Sequence, residues 1–365
     1  MTDLINILAL FVWGSFTSFV LLGIIAQFNK VERATRRERK HRFVIVSVAS
    51  NGVKNALLEC IEHTRAMFPA SKIQILIDEG ADLQQYLQDT YKNVVVVPKE
   101  YRHDIVAKGR AINYFIEEEV APDFWYSFID DDNLVSDKKF LYEIPVMDSK
   151  GYVATNPILK PREGRSKLAY IMDSIRYFDD MTVFRFFTGV VGRPLLGLHG
   201  ELLTVKGSVL KEVGFARHSL TEDFRFAIEL VKLGYKVWQS DTIVSIKSPN
   251  TIKDLLKQRG RWFKGLAMDI KHAPFIMRLL VGWRISVWGL GIFGSWAFSF
   301  LWFDFSYNSI LLAPGGLYYW FVYLWGIRKL GDWRYLPALP LLGIIESSSF
   351  AFGLRQKTFV VINKN

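Results

Sequence analysis

One cysteine, Cys60, stands alone in 365 residues, which excludes an internal disulfide; its neighbours place it on a helix face as ordinary core. The Gly-rich turn that cradles a pyrophosphate is missing after the first apolar run of the α/β region, which excludes a dinucleotide-binding oxidoreductase. Stacking aromatics are also missing from the most basic stretch, and with them the platform of a nucleic-acid arm. Charge is scarce before Lys30, where no basic n-region precedes the apolar run and no small-residue cleavage signal closes it. A retained anchor is therefore expected rather than a signal peptide.

Half of the residues are hydrophobic, 15% are aromatic and the mean hydropathy is +0.14, an unusual balance for a purely soluble enzyme. Residues 4–26 are long enough to cross a bilayer as a helix. The formal charge of +10 is concentrated behind them, at Lys30, Arg33, Arg36, Arg37, Arg39, Lys40 and Arg42. That position fits anionic headgroups and, by the positive-inside rule, a cytoplasmic domain thereafter. Beyond Ile276 come three more apolar stretches, 281–303, 310–327 and 335–354, with Pro314, Pro337, Pro340 and Glu346 inside the later two. Three further crossings put the tail outside, whereas Arg355, Lys357 and Lys364 favour the inside, so one stretch is expected to be re-entrant or interfacial. Glu346, ionisable at membrane depth, is expected to face the protein interior or an aqueous path.

Between these ends, short apolar runs alternate with amphipathic stretches, the pattern of a largely parallel sheet with crossover helices. Strands are expected at 43–48, closed by Ala49-Ser50-Asn51-Gly52, at 72–77, closed by Asp78-Glu79-Gly80, and at 94–97. A helix opens at Lys108-Gly109-Arg110, where two cations add to a helix dipole's attraction for phosphate. The run from Phe124 to Asn133 is a buried strand that stops in Asp130, Asp131 and Asp132. Adjacent carboxylates repel one another, and a divalent cation with hard oxygen ligands relieves them. Residues 166–187 have helical apolar spacing, with Asp173, Arg176, Asp179 and Asp180 on the surface, and suit either the core or, by a narrow preference, the membrane interface. Gly197 to Val205 is expected to be a strand entered through glycines that let a ligand approach. Thr221 is the expected cap of a helix begun by Glu222 and Asp223. The amphipathic stretch 251–270 carries Gln258-Arg259-Gly260-Arg261-Trp262, in which Arg and Trp can clamp phosphate and stack on a ring.

These segments form one inventory: groups to bind a nucleotide, to neutralise a diphosphate through a metal and cations, and to deprotonate a hydroxyl. The sequence resembles the membrane-bound inverting glycosyltransferases of family 2, a GT-A class that includes cellulose, chitin and hyaluronan synthases. Asp130-x-Asp132 looks like the DxD metal motif, Thr221-Glu222-Asp223 like the TED motif, and Gln258-x-x-Arg261-Trp262 like Q-x-x-R-W. Val97-Pro98-Lys99-Glu100-Tyr101, Lys108-Gly109-Arg110-Ala111, Asp179-Asp180-Met181 and Lys247-Ser248-Pro249 resemble the Egghead type of β-1,4-mannosyltransferase, which makes a mannosyl-glucosyl glycolipid from GDP-mannose. The similarity covers roughly residues 43–270. Asp130-Asp131-Asp132-Asn133 departs from that family's Asp-Glu-Glu sequence, so fold and reaction class carry over better than sugar and acceptor.

The resemblance implies a GT-A domain over 43–272, between an anchor (1–29) with its basic flank (30–42) and a C-terminal membrane region (273–365). It implies Asp223, next to Glu222, as general base, and Mg²⁺ or Mn²⁺ on Asp132 and Asp130. The nucleotide sugar would be held by Asp78, Lys108, Asp130, Asp131, Gln258, Arg261 and Trp262. A lipid-linked or glycan acceptor would meet His199, Gly200, Glu201 and Trp262, although His199 equally suits a satisfied core histidine. A processive synthase using a UDP-sugar is the rival within enzymes; a silent nucleotide-sugar-binding scaffold is the rival outside them.

Overall fold

The computed structural model describes residues 2–47, 53–105, 107–303 and 305–355. Val48, the turn Ala49-Ser50-Asn51-Gly52, Lys357 and Lys364 lie outside them. The strands are β1 (His41–Ser47), β2 (Lys72–Asp78), β3 (Val94–Val97), β4 (Trp125–Asp130), β5 (Asn133–Val135), β6 (Tyr152–Arg162), β7 (Leu203–Lys206) and β8 (Lys236–Lys247). The helices are α1 (Thr2–Gln27), α2 (Lys54–Met67), α3 (Gln84–Thr90), α4 (Ala107–Glu119), α5 (Lys139–Ser149), α6 (Lys167–Asp179) and α7 (Gly207–Val213). They continue as α8 (Glu222–Lys232), α9 (Ile252–Asp269), α10 (Phe275–Ser286), α11 (Ile292–Leu301), α12 (Tyr307–Leu330) and α13 (Leu339–Arg355).

The strands form one mixed sheet in the order β3-β2-β1-β4-β7-β6-β8-β5. β3, β2, β1 and β4 run parallel, β7 is antiparallel to β4 and β6, and β8 pairs parallel with β6. The order turns back between β1 and β4, and in an open α/β sheet the crevice beyond the strands' carboxyl ends at such a point takes the ligand. Those ends are Ser47 and Asp130, and the Ser47 hydroxyl donates to Asp131 at 3.1 Å.

Side chains alternate between two cores, because successive strand residues face opposite sides. Phe43, Ile45, Ile75, Ile77 and Ile129 enter one, with Leu57, Cys60 and Ile61 of α2. Val44, Val46, Leu76, Tyr126 and Phe128 enter the other. That second core also takes in Val12, Trp13, Phe16 and Phe19 of α1 and Tyr318, Tyr319 and Val322 of α12, so sheet and apolar helices share one hydrophobic interior.

The segment expected as a single helix over 166–187 is α6 followed by π-helical turns at Asp180–Phe184 and Phe186–Val190. Its charges do not lie on the surface as expected: Asp173, Arg176, Asp179 and Asp180 are all buried, because four charged partners from other elements meet them there. The expected strand from Gly197 is a strand only from Leu203; positive φ at Gly197 and Leu202 (109° and 56°) breaks the extended conformation and leaves a loop. After the aspartates the chain returns at once to extended conformation, and Asn133 begins β5.

Three helices among the described residues are long and apolar enough to cross a membrane: Asn6–Gln27, Tyr307–Leu330 and Trp333–Arg355. The stretch expected over 281–303 is broken. Phe275–Gly289 and Ile292–Leu301 meet at 56° across a π-helical turn, Val287–Gly291. Lys30, Arg33, Arg36, Arg37, Arg39 and Lys40 are exposed, and Arg33 also pairs with Glu143 and Asp241, 3.3 and 2.9 Å away.

Candidate active site

Beyond the carboxyl end of β4 lies a cavity of about 240 Å³. β4 and the turn after it supply Asp130, Asp131 and Asp132; α4 supplies Lys108; the start of α8 supplies Thr221, Glu222 and Asp223; α9 supplies Gln258, Arg261 and Trp262. The loop before β7 adds His199 and Glu201. Gly200 contributes its amide, which donates to Asp223 Oδ2 at 3.0 Å. Asp78 does not line the cavity: it ends β2, 2.7 Å from Arg110.

Lys108 is the hub. Its Nζ lies 2.9 Å from Asp130 Oδ1 and 3.0 Å from Glu222 Oε1, so the aspartate strand and the Glu-Asp helix start meet at one cation. Burial opposes that charge, yet Asp130, Glu222, Asp223 and Glu201 hold the Lys108 pKa well above its ordinary value. Burial also pushes the Asp130 carboxyl up; Lys108 opposes this, while Glu201 and Asp132 reinforce it. Asp223 is raised to about 6, first by burial and then by Glu222, against the pull of Lys108. A carboxyl there is ionised at neutral pH yet more basic than a free one, which suits a general base.

Opposite this acidic end stand three ion pairs: Arg176 with Glu201, His199 with Asp180, and Arg284 with Asp179 at 2.5 Å. His199 is thus paired and still lines the cavity. Burial works against its charge, but Asp180 raises its pKa. Burial likewise opposes ionisation of Glu201, and Arg176 with His199 and Lys108 overcomes it, holding that carboxyl well below its ordinary range. Trp262 stacks beneath the guanidinium groups of Arg176 and Arg259, 5.0 and 4.5 Å from its ring centre. Arg261 is anchored by donating to the Leu220 carbonyl at 2.8 Å.

Thr221 does not cap α8 with its side chain; its Oγ1 is buried without a hydrogen-bond partner, and so is Gln258 Oε1. Both residues line the cavity, where a ligand can satisfy them. Sequence reasoning missed Arg176, Asp179, Arg284 and Trp288 as lining residues. A signal for Arg284 was present: an arginine inside an apolar stretch marks a functional position. Glu346 faces the interior, as expected, but outside the cavity. It accepts from Arg259 Nε at 3.1 Å and Trp288 Nε1 at 2.9 Å, and Arg259 also reaches Asp173 at 2.8 Å.

A ligand crevice at the switch point of such a sheet, with aspartates at one strand end and a paired Glu-Asp helix start, defines a GT-A-like glycosyltransferase core. The family model "Glycosyl transferase family group 2" matches residues 125–335, and the chain belongs to that family. It is 28% identical over 228 residues to the β-1,4-mannosyltransferase egh of Drosophila melanogaster, spanning 59% of this chain and 49% of that protein. To the β-1,4-mannosyltransferase bre-3 of Caenorhabditis briggsae it is 25% identical over 308 residues, or 74% of this chain and 67% of that one. The match therefore spans about half of the fly protein's length and about two thirds of the worm protein's. Among solved structures, the mannosyltransferase PcManGT from Pyrobaculum calidifontis, in complex with GDP-Man and Mn²⁺, shares the fold. The TM-score is 0.61 at 13% identity, covering 97% of this chain and all of that one.

Proposed function

We propose that the protein is a membrane-embedded inverting glycosyltransferase that moves mannose from GDP-mannose to a hydroxyl of a lipid-linked or glycan acceptor, forming a β-glycoside. The observation that carries the proposal is the double engagement of Lys108, which brings a diphosphate-binding group and a raised carboxyl into one cavity. The mannosyltransferase relatives support the sugar. The exposed basic flank after α1 supports a cytoplasmic catalytic domain and contact with anionic lipids.

Asp130 and Asp132 would hold Mg²⁺ or Mn²⁺. Both line the cavity, and their carboxylate oxygens are donors that suit a hard cation, although among the described residues no group of three metal-ligating side chains gathers there. Bound there, the ion supplies charge to the departing diphosphate. The chain's own residues do the rest. Asp223 takes the acceptor hydroxyl's proton, and the acceptor oxygen bonds to the anomeric carbon from the face opposite the breaking C–O bond. Lys108 and Arg261 receive the departing diphosphate. Asp130 and Asp78, the latter ending β2 outside the cavity, would hold the nucleoside, Asp131, Gln258 and Trp262 the rest of the nucleotide sugar, and His199, Gly200, Glu201 and Trp262 the acceptor side.

The test is release of nucleoside diphosphate from a panel of GDP- and UDP-sugars in detergent, with and without a lipid glycoside. The proposal expects turnover with GDP-mannose that depends on acceptor and adds a single sugar. Turnover of a UDP-sugar into long product would replace it with a processive synthase, and binding without turnover with a silent scaffold.

A further inference from the structure

The cavity has a second wall, built from outside the catalytic sheet. α10 and the π-helical turn after it contribute Val281, Arg284, Ile285 and Trp288. Arg284 is 8% exposed, and Asp179 holds its Nη2 at 2.5 Å. Its Nη1 is buried without a hydrogen-bond partner. A buried guanidinium N–H left unmade costs free energy that a ligand oxygen can recover. The guanidinium also lies 4.7 Å from the Phe184 ring centre and 5.4 Å from that of Trp288, which fixes its plane.

The chemistry of this wall selects its ligand. Arg284 is matched by Asp179, Arg176 by Glu201 and His199 by Asp180, so the wall offers no net positive charge to an anion. It offers instead one oriented donor beside two indoles, Trp262 and Trp288, whose ring centres are 6.4 Å apart and which already carry the guanidinium groups of Arg176, Arg259 and Arg284. A directed N–H in a charge-balanced, aromatic-lined wall suits a hydroxyl of a neutral sugar. Val281 and Ile285 continue the wall along α10, whose outer face exposes Phe275 (73%), Ile276 and Leu279 (53% each).

Resting on the glycosyltransferase reading above, we propose that Arg284, positioned by Asp179, binds a hydroxyl of an uncharged acceptor sugar and determines acceptor specificity. The acceptor site is thereby shared between the catalytic sheet and the C-terminal apolar region.

The experiment uses the full chain in detergent, GDP-mannose as donor, and dodecyl β-glucoside with its monodeoxy analogues as acceptors. Arg284→Gln is expected to raise acceptor KM about tenfold or more while donor KM stays at the parental value, and Arg284→Lys to recover part of the loss. One deoxy analogue should lose in the parent what Arg284→Gln loses, and Arg284→Gln should be indifferent to that deletion. Equal losses on donor and acceptor, or on every analogue, mean a merely structural arginine and overturn the proposal. A parent that transfers to none of these acceptors refutes the lipid-glycoside reading itself, and this inference with it.

Discussion

The Gly200 amide donates to Asp223 Oδ2 at 3.0 Å, while the Phe224 amide donates to Oδ1 at 2.8 Å. Each oxygen of the proposed base is thus aimed by a backbone N–H, and its remaining lone pairs serve the cavity. Asp223→Asn keeps the shape and one of these bonds but cannot accept a proton. It should cut kcat by about 10²- to 10⁴-fold and leave GDP-mannose binding intact. Loss of nucleotide binding, read by calorimetry, would take the role of base away from Asp223.

The same carboxyl sets a pH dependence of rate and stability. With its pKa raised to about 6, the base is protonated below that value, so kcat should fall on the acid side of about pH 6. The folded chain holds this proton more tightly than the unfolded chain, whose aspartates titrate near ~4. The group's stabilisation is therefore complete below about pH 4 and is lost as pH rises through about 6. Asp223→Asn should consequently unfold at a higher temperature than the parent at pH 7.5, with the gap closing at pH 4.5.

Lys108 lowers the pKa of Asp223 and bridges Asp130 to Glu222. Removing it takes a charge-assisted donor from the diphosphate and a stabilising charge from the base. Lys108→Met should raise donor KM by about 10- to 100-fold, and it should also move the acid limb of the rate profile to higher pH. A change in KM with an unmoved limb would mean that Lys108 does not sense the base.

The strand ends and helix starts were legible because apolar runs stop abruptly in charged residues at Asp78, Asp130 and Glu222. β8 was not: buried polar residues Gln239, Ser240 and Thr242 interrupt the run that would have announced it. Nor was the burial of Asp173, whose partner Arg259 lies 86 positions away, a pairing that no local period records. The broken geometry around Val287–Gly291 was legible only as a conflict between helix count and tail charge.

Metal dependence can be checked apart from the protein scaffold. Chelation with EDTA should stop diphosphate release and added Mn²⁺ should restore it, since Asp130 and Asp132 supply hard carboxylate oxygens to the cavity. Asp132→Ala should need more Mn²⁺ for half-maximal rate, with the unfolding temperature little changed. A chelation-resistant parent would leave the cations Lys108 and Arg261 to neutralise the diphosphate alone.

Arg259 is fully buried and serves two carboxylates at once, Asp173 at 2.8 Å and Glu346 at 3.1 Å, with Ser248 donating to the other Asp173 oxygen at 3.0 Å and Trp288 donating to the same Glu346 oxygen at 2.9 Å. This chain of contacts joins α6, α9 and α13, so it braces the catalytic helix carrying Gln258 and Trp262 against the last apolar helix. Arg259→Ala strands two buried carboxylates and should destabilise the fold by about 3–5 kcal/mol, read as a fall in unfolding temperature in detergent. Arg259→Lys should rescue little, since one ammonium cannot span the fork. Glu346→Gln keeps an acceptor oxygen for Trp288 and should cost much less, with catalysis preserved. A Glu346→Gln variant that folds normally but no longer transfers sugar would make Glu346 a participant in the reaction rather than a brace.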